Sequence, residues 1–281
     1  MPEGDTVWRT ARRLHDALVG ERLVVADLRW PSCAEIVLVG ARTTEVVARG
    51  KHLLHRLDSG TTIHSHLRMD GQWRVARTGA DSAGWLRRDD LRAALGTADW
   101  TALGLRLGML DVVPTQREGD LVGHLGPDVL GPDWDPDRAA AALAAHPGPV
   151  GAALLDQRTL AGVGTFWASE ALFLERLLPW TPSAALAPPQ AAALVARVHR
   201  LMDAGRRYAV QSSTGIHRPG QEAYVHARSG RPCRRCGDTI RVARIGTPPT
   251  DRVLFSCPTC QGGLAPTDDG RPQRPLGSSR R

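Results

Sequence analysis

Leu154-Leu155-Asp156-Gln157-Arg158-Thr159-Leu160-Ala161-Gly162-Val163-Gly164-Thr165 reads as the end of one helix, a loop of small residues and the start of another. The flanking patterns predict a short helix over residues 150–156 and a longer one over 166–178, with Phe166, Ala171, Leu174 and Leu178 among its apolar positions. Glycines at 162 and 164 permit two tight turns, in which backbone closely approaches either other backbone or a phosphate. Taken alone, the unit fits tight helix packing as well as anion binding.

Working outward, Asp135 or Asp137 can start a helix that runs to residue 145, and His146-Pro147-Gly148-Pro149 breaks it. Residues 190–211 predict a long amphipathic helix, and 212–232 a polar connector. Beyond it lie Cys233-x2-Cys236 and Cys257-x2-Cys260, spaced as a four-thiolate zinc ribbon. All four donors are protein thiolates, so one structural Zn2+ is expected, with no open position for water and no metal at a reacting centre. Cys33 stands apart and reads as a small core residue.

The first hundred residues differ in character. After a helix expected over 6–19, capped by Asp5 or Thr6 and ended by Gly20, residues 22–30, 35–39, 43–48, 52–57, 61–65 and 72–76 show β-branched or alternating patterns. Residues 77–112 predict two further strands, and 114–122 a short helix or linker. Short strands at this spacing point to a sandwich or barrel. The fold class expected is therefore α+β in two domains: a β-sandwich with flanking helices, then a helical domain carrying a four-cysteine zinc finger. The boundaries expected are a sandwich domain at 1–115, a linker at 116–134, a helical domain at 135–225, the finger at 226–261 and a disordered basic tail at 262–281.

The chain has 281 residues and a formal charge of +7, with 42% hydrophobic and 23% charged residues, which suits a globular protein. Residues 226–261 carry a net +5 and 262–281 a net +2, so the first 225 are neutral in sum. A basic finger and tail favour a polyanion partner. No apolar run approaches the ~20 residues of a membrane span, and no signal peptide is evident. A cytoplasmic, nucleoid-associated monomer is expected.

The start, Met1-Pro2-Glu3-Gly4-Asp5-Thr6, carries a chemical signal. Met1 is expected to be removed, leaving Pro2 with a free secondary amine. An α-amino group titrates at about 7.7–8.0, so roughly a tenth is nucleophilic at pH 7, far more than for an ordinary lysine. Such an amine can attack an aldehyde-level carbon and form an iminium ion, with Glu3 beside it to move protons. Lys51 follows a glycine in the turn Arg49-Gly50-Lys51-His52. Met69, flanked by Arg68 and Asp70, falls in a turn, where an apolar side chain could wedge between unstacked bases. His64 and His66 read as structural or phosphate-facing. Arg252 sits between the two cysteine pairs.

PEGDT at 2–6, RGKHL at 49–53, HSHLRMDG at 64–71, LGPD at 125–128, LLDQRTLAGVG at 154–164 with Glu170, and the finger ending CPTCQ occur here in that order. Over residues 2–261 the chain resembles the formamidopyrimidine-DNA glycosylase/endonuclease VIII family of DNA repair enzymes, with most likeness to the actinobacterial-type endonuclease VIII branch. The resemblance implies a base-excision-repair glycosylase with AP lyase activity that removes oxidised pyrimidines. It would work through a Schiff base at Pro2 and nick the strand by β,δ-elimination. It implies Glu3 as general acid and Lys51 as a phosphate-binding catalytic residue. It also implies Met69 as the wedge, with Arg68, Gly164, Thr165 and Arg252 at the DNA. The partner implied is damaged DNA, double-stranded, single-stranded or in a bubble. Two other readings are a non-catalytic damaged-DNA-binding protein of the same fold and a zinc-ribbon RNA-binding protein. Where the family usually has GxGNxYxxE, this chain has Thr165 for the phosphate-contacting asparagine and Trp167 for the tyrosine. Residues 105–109 lack the Arg-Phe pair of the 8-oxoguanine branch.

Overall fold

The computed structural model describes residues 2–275. The chain divides into two compact units between His124 and Leu125.

In the first unit, α1 (Gly4–Leu18) starts two residues earlier than its pattern predicts, with Glu3, not Asp5 or Thr6, in extended conformation at the N-cap. Val7, Ala11, Leu14 and Leu18 form its buried stripe at helical spacing. Eight strands follow: β1 (Val25–Leu28), β2 (Thr43–Arg49), β3 (His52–Leu57), β4 (Thr61–His66), β5 (Gln72–Arg77), β6 (Leu91–Gly96), β7 (Trp100–Leu105) and β8 (Met109–Pro114). They form two antiparallel sheets, ordered β1-β6-β7-β5 and β2-β3-β4-β8. Residues of both sheets and of α1 share one core that includes Val46, Leu53, Ile63, Trp73, Leu95 and Leu110, which makes the unit a sandwich. The Trp73 indole N–H donates to Ser65 Oγ at 3.1 Å, so a polar handle in that core is satisfied.

Residues 77–114 hold three strands, where the pattern predicts two, and a helix α2 (Ala80–Leu86). A register shift between Leu91 and Ala93 turns Ala93 and Leu95 to the main core and leaves Leu91 and Ala94 to pack beneath Trp85 and Leu86 of α2. The strand expected over 35–39 is not formed. Leu38 is buried, but Val37 and Val39 are 85% and 56% exposed, and no strand lies beside them to pair with. The alternation there reflects one anchoring leucine, not a ladder.

The region expected to be a linker is divided. A 3-10 turn (Thr115–Arg117) and α3 (Glu118–Val122) belong to the first unit. Glu118 takes both arms of the Arg56 guanidinium at 2.8 and 2.7 Å and the Thr62 hydroxyl at 2.6 Å.

The second unit contains α4 (Pro136–Ala145), α5 (Val150–Leu155), α6 (Thr165–Leu174) and α7 (Pro188–Gly205), then the hairpin β9 (Arg241–Ile245) and β10 (Arg252–Ser256), and the short α8 (Pro258–Gln261). Asp135 caps α4, its carboxylate accepting from the N–H groups of Asp137 and Arg138 at 3.0 Å. α6 is buried almost all round, with Trp167 and Phe173 fully enclosed. At Gly151 of α5 a Cβ would meet Leu254 Cδ1 at 2.5 Å and Ile245 Cδ1 at 2.8 Å, so this helix lies directly on the hairpin.

Glu170 is fully buried on α6. Its carboxylate accepts the backbone N–H groups of Tyr224, Val225 and His226, each at 2.8 Å, and the Ser213 hydroxyl. Burial pushes the carboxyl above its ordinary value, and these four donors pull against that.

Residues 262–275 differ from the disordered tail expected of them. Asp268 pairs with Arg241 at 2.8 Å, and the Gln273 amide both accepts from Val242 N–H at 2.8 Å and donates to Val242 C=O at 3.1 Å. Gly230 admits the tail: a Cβ there would lie 2.5 Å from Pro275 N. Residues 276–281 lie outside the described residues. Among the described residues no helix is long and apolar enough to cross a membrane.

Glu170→Gln replaces an acceptor-only carboxylate with an amide whose NH2 faces backbone donors. The expected outcome is a loss of about 2–3 kcal/mol in urea unfolding, with new protease cleavage in residues 206–228. An unchanged midpoint would remove Glu170 from this structural role.

Candidate active site and nucleic-acid-binding elements

Pro2 and Glu3 enter α1 directly. Pro2 is half-buried, and Glu3 is only 1% exposed. A carboxyl this deep beside a helix N-terminus is held in a defined place, which proton transfer requires. The N–H groups of a first helical turn also favour anions nearby.

Lys51 occupies the β2–β3 turn. Gly50 adopts φ 58°, the left-handed conformation that the tight hairpin needs. The Arg49↔His52 pair closes this two-residue turn, which fixes where the Lys51 side chain starts.

The Met69 loop leaves the end of β4. Leu67 anchors it in the core, Arg68 takes φ 55°, and Gly71 N–H closes it onto Leu67 C=O at 2.9 Å. Met69 is held out at 63% exposure. The β7–β8 connection is only Arg106-Leu107-Gly108, and a Cβ on Gly108 would collide with the Arg68 side chain at 2.1 Å.

A cluster of imidazoles lies beside this loop and Lys51. Cross-strand register sets His52 opposite His66 and His64 opposite Asp111. His52 Nδ1 is 2.8 Å from His64 Nε2, and His64 Nδ1 is 3.0 Å from Asp111 Oδ2. His66 Nδ1 accepts the Arg68 N–H at 2.9 Å. Burial, followed by His66, His64, His124 and Arg68, pushes His52 down to about 3. Burial, followed by Arg68, Lys51 and His64, pushes His66 down to about 4. The sequence marks His64 and His66 but gives no sign that His52 and Asp111 join them, because only strand register brings the four together.

In the second unit, the helix–two-turn–helix is built on one side chain. The Gln157 amide donates to Leu155 C=O and Val163 C=O at 2.9 and 3.0 Å and accepts from Gly162 N–H at 3.0 Å. Gly162 takes φ 99°. Gly164 is the N-cap of α6, and Thr165, 8% exposed, is the first residue of the helix. Trp167 is fully enclosed in the helical core, so the tyrosine-to-tryptophan departure is a packing change. Arg252 opens β10. It is exposed and bends back onto the carbonyls of Thr250 and Asp251 at 3.0 and 2.9 Å. The connector walls a cavity of about 350 Å³ lined by Phe166, Glu222, His226 and Arg228 among others, which the sequence does not announce.

Cys233, Cys236, Cys257 and Cys260 converge, their four Sγ atoms within 4.8 Å of one another. Cys233–Cys260 and Cys236–Cys257 are separated by 3.9 and 3.4 Å. A disulfide needs about 2.05 Å, whereas four thiolates about 2.3 Å from a tetrahedral ion lie about 3.8 Å apart. Arg235 N–H points at Cys233 Sγ at 3.4 Å, a donor suited to a thiolate. The donor set therefore fits a metal ion.

Residues 1–107 match the model of the formamidopyrimidine-DNA glycosylase N-terminal domain, and 125–216 that of the formamidopyrimidine-DNA glycosylase H2TH domain. The chain belongs to this glycosylase family. It is 49% identical over 272 residues to the probable endonuclease 8 2 of Streptomyces coelicolor, covering 96% of this chain and 98% of the relative. It is 43% identical over 262 residues to the DNA-(apurinic or apyrimidinic site) lyase Nei2 of Mycolicibacterium smegmatis, covering 93% and 99%. Among solved structures, Lactococcus lactis formamidopyrimidine-DNA glycosylase non-covalently bound to DNA with an AP site aligns with a TM-score of 0.77 at 22% identity, over 92% of this chain and 99% of that one. That likeness shows the shared α+β fold.

The depressed histidines give this family member a pH dependence. His52 at about 3 and His55 and His66 at about 4 are neutral when folded, whereas an unfolded histidine titrates at about 6.5. Between these values the unfolded chain binds more protons, so their contribution is complete above about pH 6.5 and is lost as pH falls toward 4 and 3. Urea midpoints should fall from pH 7 to pH 5. His55→Gln, which removes a fully buried ring bonded to Thr43 Oγ1 at 2.8 Å, should make that fall shallower. A midpoint that stays level over this range would contradict the assignment.

Proposed function

We propose that the protein is a bifunctional DNA glycosylase and AP lyase of base excision repair. It removes oxidised pyrimidines through a Schiff base, an iminium ion at Pro2, and nicks the strand by β,δ-elimination. The observation that carries the reading is the pair Pro2–Glu3, with the buried Glu3 carboxyl fixed at the start of α1 next to a proline whose secondary amine removal of Met1 would free.

The chemistry follows from these groups. The target nucleotide leaves the stack at a cost of a few kcal/mol, least for a damaged base. The neutral Pro2 amine attacks C1′ while Glu3 protonates the opening sugar, and the base departs. The resulting iminium withdraws electrons and acidifies the C2′ proton, so loss of that proton expels the 3′ phosphate. A second elimination expels the 5′ phosphate. Lys51 holds the phosphate that flanks the lesion, and Met69 with Arg68 fills the gap in the duplex. In the second unit, Gly164 and Thr165 offer backbone N–H groups at the start of α6 to a phosphate, and Arg252 exchanges its carbonyl contacts for another. Zinc is the ion assigned to the four cysteines, where it would serve as a structural cross-link for the finger. With DNA as substrate, the place of action is the cytoplasm, at the nucleoid.

Two observations support the endonuclease VIII type of substrate. The 49% identical Streptomyces coelicolor relative carries that name, and the three-residue β7–β8 turn has no Arg-Phe pair to insert.

Borohydride reduction in the presence of lesion duplex tests the reading. Untagged protein should form a covalent adduct with thymine glycol, dihydrouracil or abasic DNA, and Pro2→Gly should abolish trapping while DNA affinity stays within about twofold. No adduct with any lesion would reject the enzyme. Chelation should release one Zn2+ per chain, by mass spectrometry, and weaken DNA binding.

A further inference from the structure

The Met69 loop and the β7–β8 turn interlock through a glycine on each. At Gly108 of the turn a Cβ would lie 2.1 Å from Arg68 Cγ and 2.5 Å from Arg68 Cβ, so the arginine stem rests directly on the glycine backbone. At Gly71 of the loop a Cβ would lie 3.0 Å from the Arg106 carbonyl oxygen of the turn. Each element thus supplies a glycine where the other supplies an arginine. Neither glycine has a left-handed φ, so neighbours and not backbone preference exclude a larger residue at both. The two arginines are the left-handed residues instead, Arg68 at φ 55° and Arg106 at φ 49°. A side-chain-bearing residue in that region is strained and persists only where its surroundings fix it. His66 binds both elements: its Nδ1 accepts Arg68 N–H at 2.9 Å, and its carbonyl accepts Gly108 N–H at 3.0 Å. Asp90 holds the far side of the turn, its carbonyl accepting Arg106 N–H at 2.8 Å and its carboxylate lying 3.8 Å from the Arg106 guanidinium. Leu67 and Leu107, 2% and 3% exposed, root the two elements in the same core.

We propose that Gly108 is a positioning residue that seats the Arg68 stem, so that the β7–β8 turn serves as a fixed backstop for the Met69 loop and sets Met69 in place before DNA arrives. This rests on the reading of Met69 as the residue that enters the duplex. A wedge works against base stacking, and a loop that yields under that load unstacks nothing. Met69 is exposed, so burial of its own side chain does not hold it. Its direction is inherited from Arg68 before it and Gly71 two residues on, the two residues that lie against the turn. The seat needs a hydrogen at position 108, because even a methyl group occupies the space of the Arg68 stem. A loop held this way carries its ordering cost in folding rather than in binding.

Amide hydrogen exchange on the DNA-free, zinc-loaded, full-length protein reads the interlock. Gly108→Ala places a methyl against Arg68, and exchange of the Gly71 amide, bonded to Leu67 C=O, should quicken about tenfold while α6 keeps parental rates. Arg68→Gly removes both contacting atoms and suits φ 55°, so Gly108→Ala should add less than about twofold in that background. Single-turnover assays then separate positioning from general destabilisation. Dihydrouracil must leave the stack, whereas an abasic site has no base to unstack. Gly108→Ala should therefore slow excision of dihydrouracil about thirtyfold and nicking of an abasic duplex less than about threefold. Parental exchange at Gly71, equal slowing on the two substrates, or a full additional penalty in the Arg68→Gly background would each overturn the proposal. Exchange needs neither DNA nor turnover, so the interlock stands or falls separately from the Pro2 chemistry.

Discussion

The second unit depends on one carboxylate. Glu170 lies in the middle of a helix with no exposed face, and it gathers three consecutive backbone N–H groups and a hydroxyl from a segment more than forty residues later. A charge in that setting is tolerable only with every lone pair engaged. The connector must therefore take one path over α6. That path delivers the chain to Cys233 and sets the finger on the same helix, where Phe255 N–H meets Ser169 Oγ at 3.3 Å and Arg235 lies over the Phe173 ring at 4.3 Å. The two-turn element is held at the other end of α6 by Gln157. The two-turn element and the four-cysteine ribbon are thus fixed relative to each other through a single buried helix.

What the sequence reveals divides along physical lines. Local chemistry is visible: the capping Asp135, the left-handed Gly50 and Gly162, and the cysteine spacing each act within a few residues. The main sandwich strands were legible because one face of each is buried and period two survives. Residues 85–95 were not, because β6 is buried on both faces and a bulge breaks its alternation. Residues 35–39 misled in the opposite way, since an isolated anchoring leucine between exposed valines imitates a strand. Of the candidate site, Pro2, Glu3, Lys51 and Met69 stood out by residue type and place in the chain. His52 and Asp111 did not, because pairing register alone joins them to His64. Composition also misjudged the tail: Gly, Pro and Arg suggested disorder, yet Asp268 and Gln273 each find a partner on β9.

The two units differ in what they hold in place. The first fixes a deep carboxyl at the start of α1 and a lysine in a tight turn. The second fixes the start of a buried helix and four converging cysteine sulfurs. Neutral histidines suit the first unit, since a titrating ring beside Lys51 would let ordinary changes in pH alter the local field.

The tail's contact with β9 also bears on solubility. A two-stranded ribbon has two open edges, and each is a template on which another chain can add a strand. Here Gln273 occupies both the N–H and the C=O of Val242 with its side-chain amide, imitating a neighbouring strand without being one. On the far edge, Ser169 of α6 takes the Phe255 N–H. Both margins of the finger are thereby closed to strand addition at their centres, so a concentrated solution of this basic protein is guarded against edge-to-edge association by the Gln273 and Ser169 side chains.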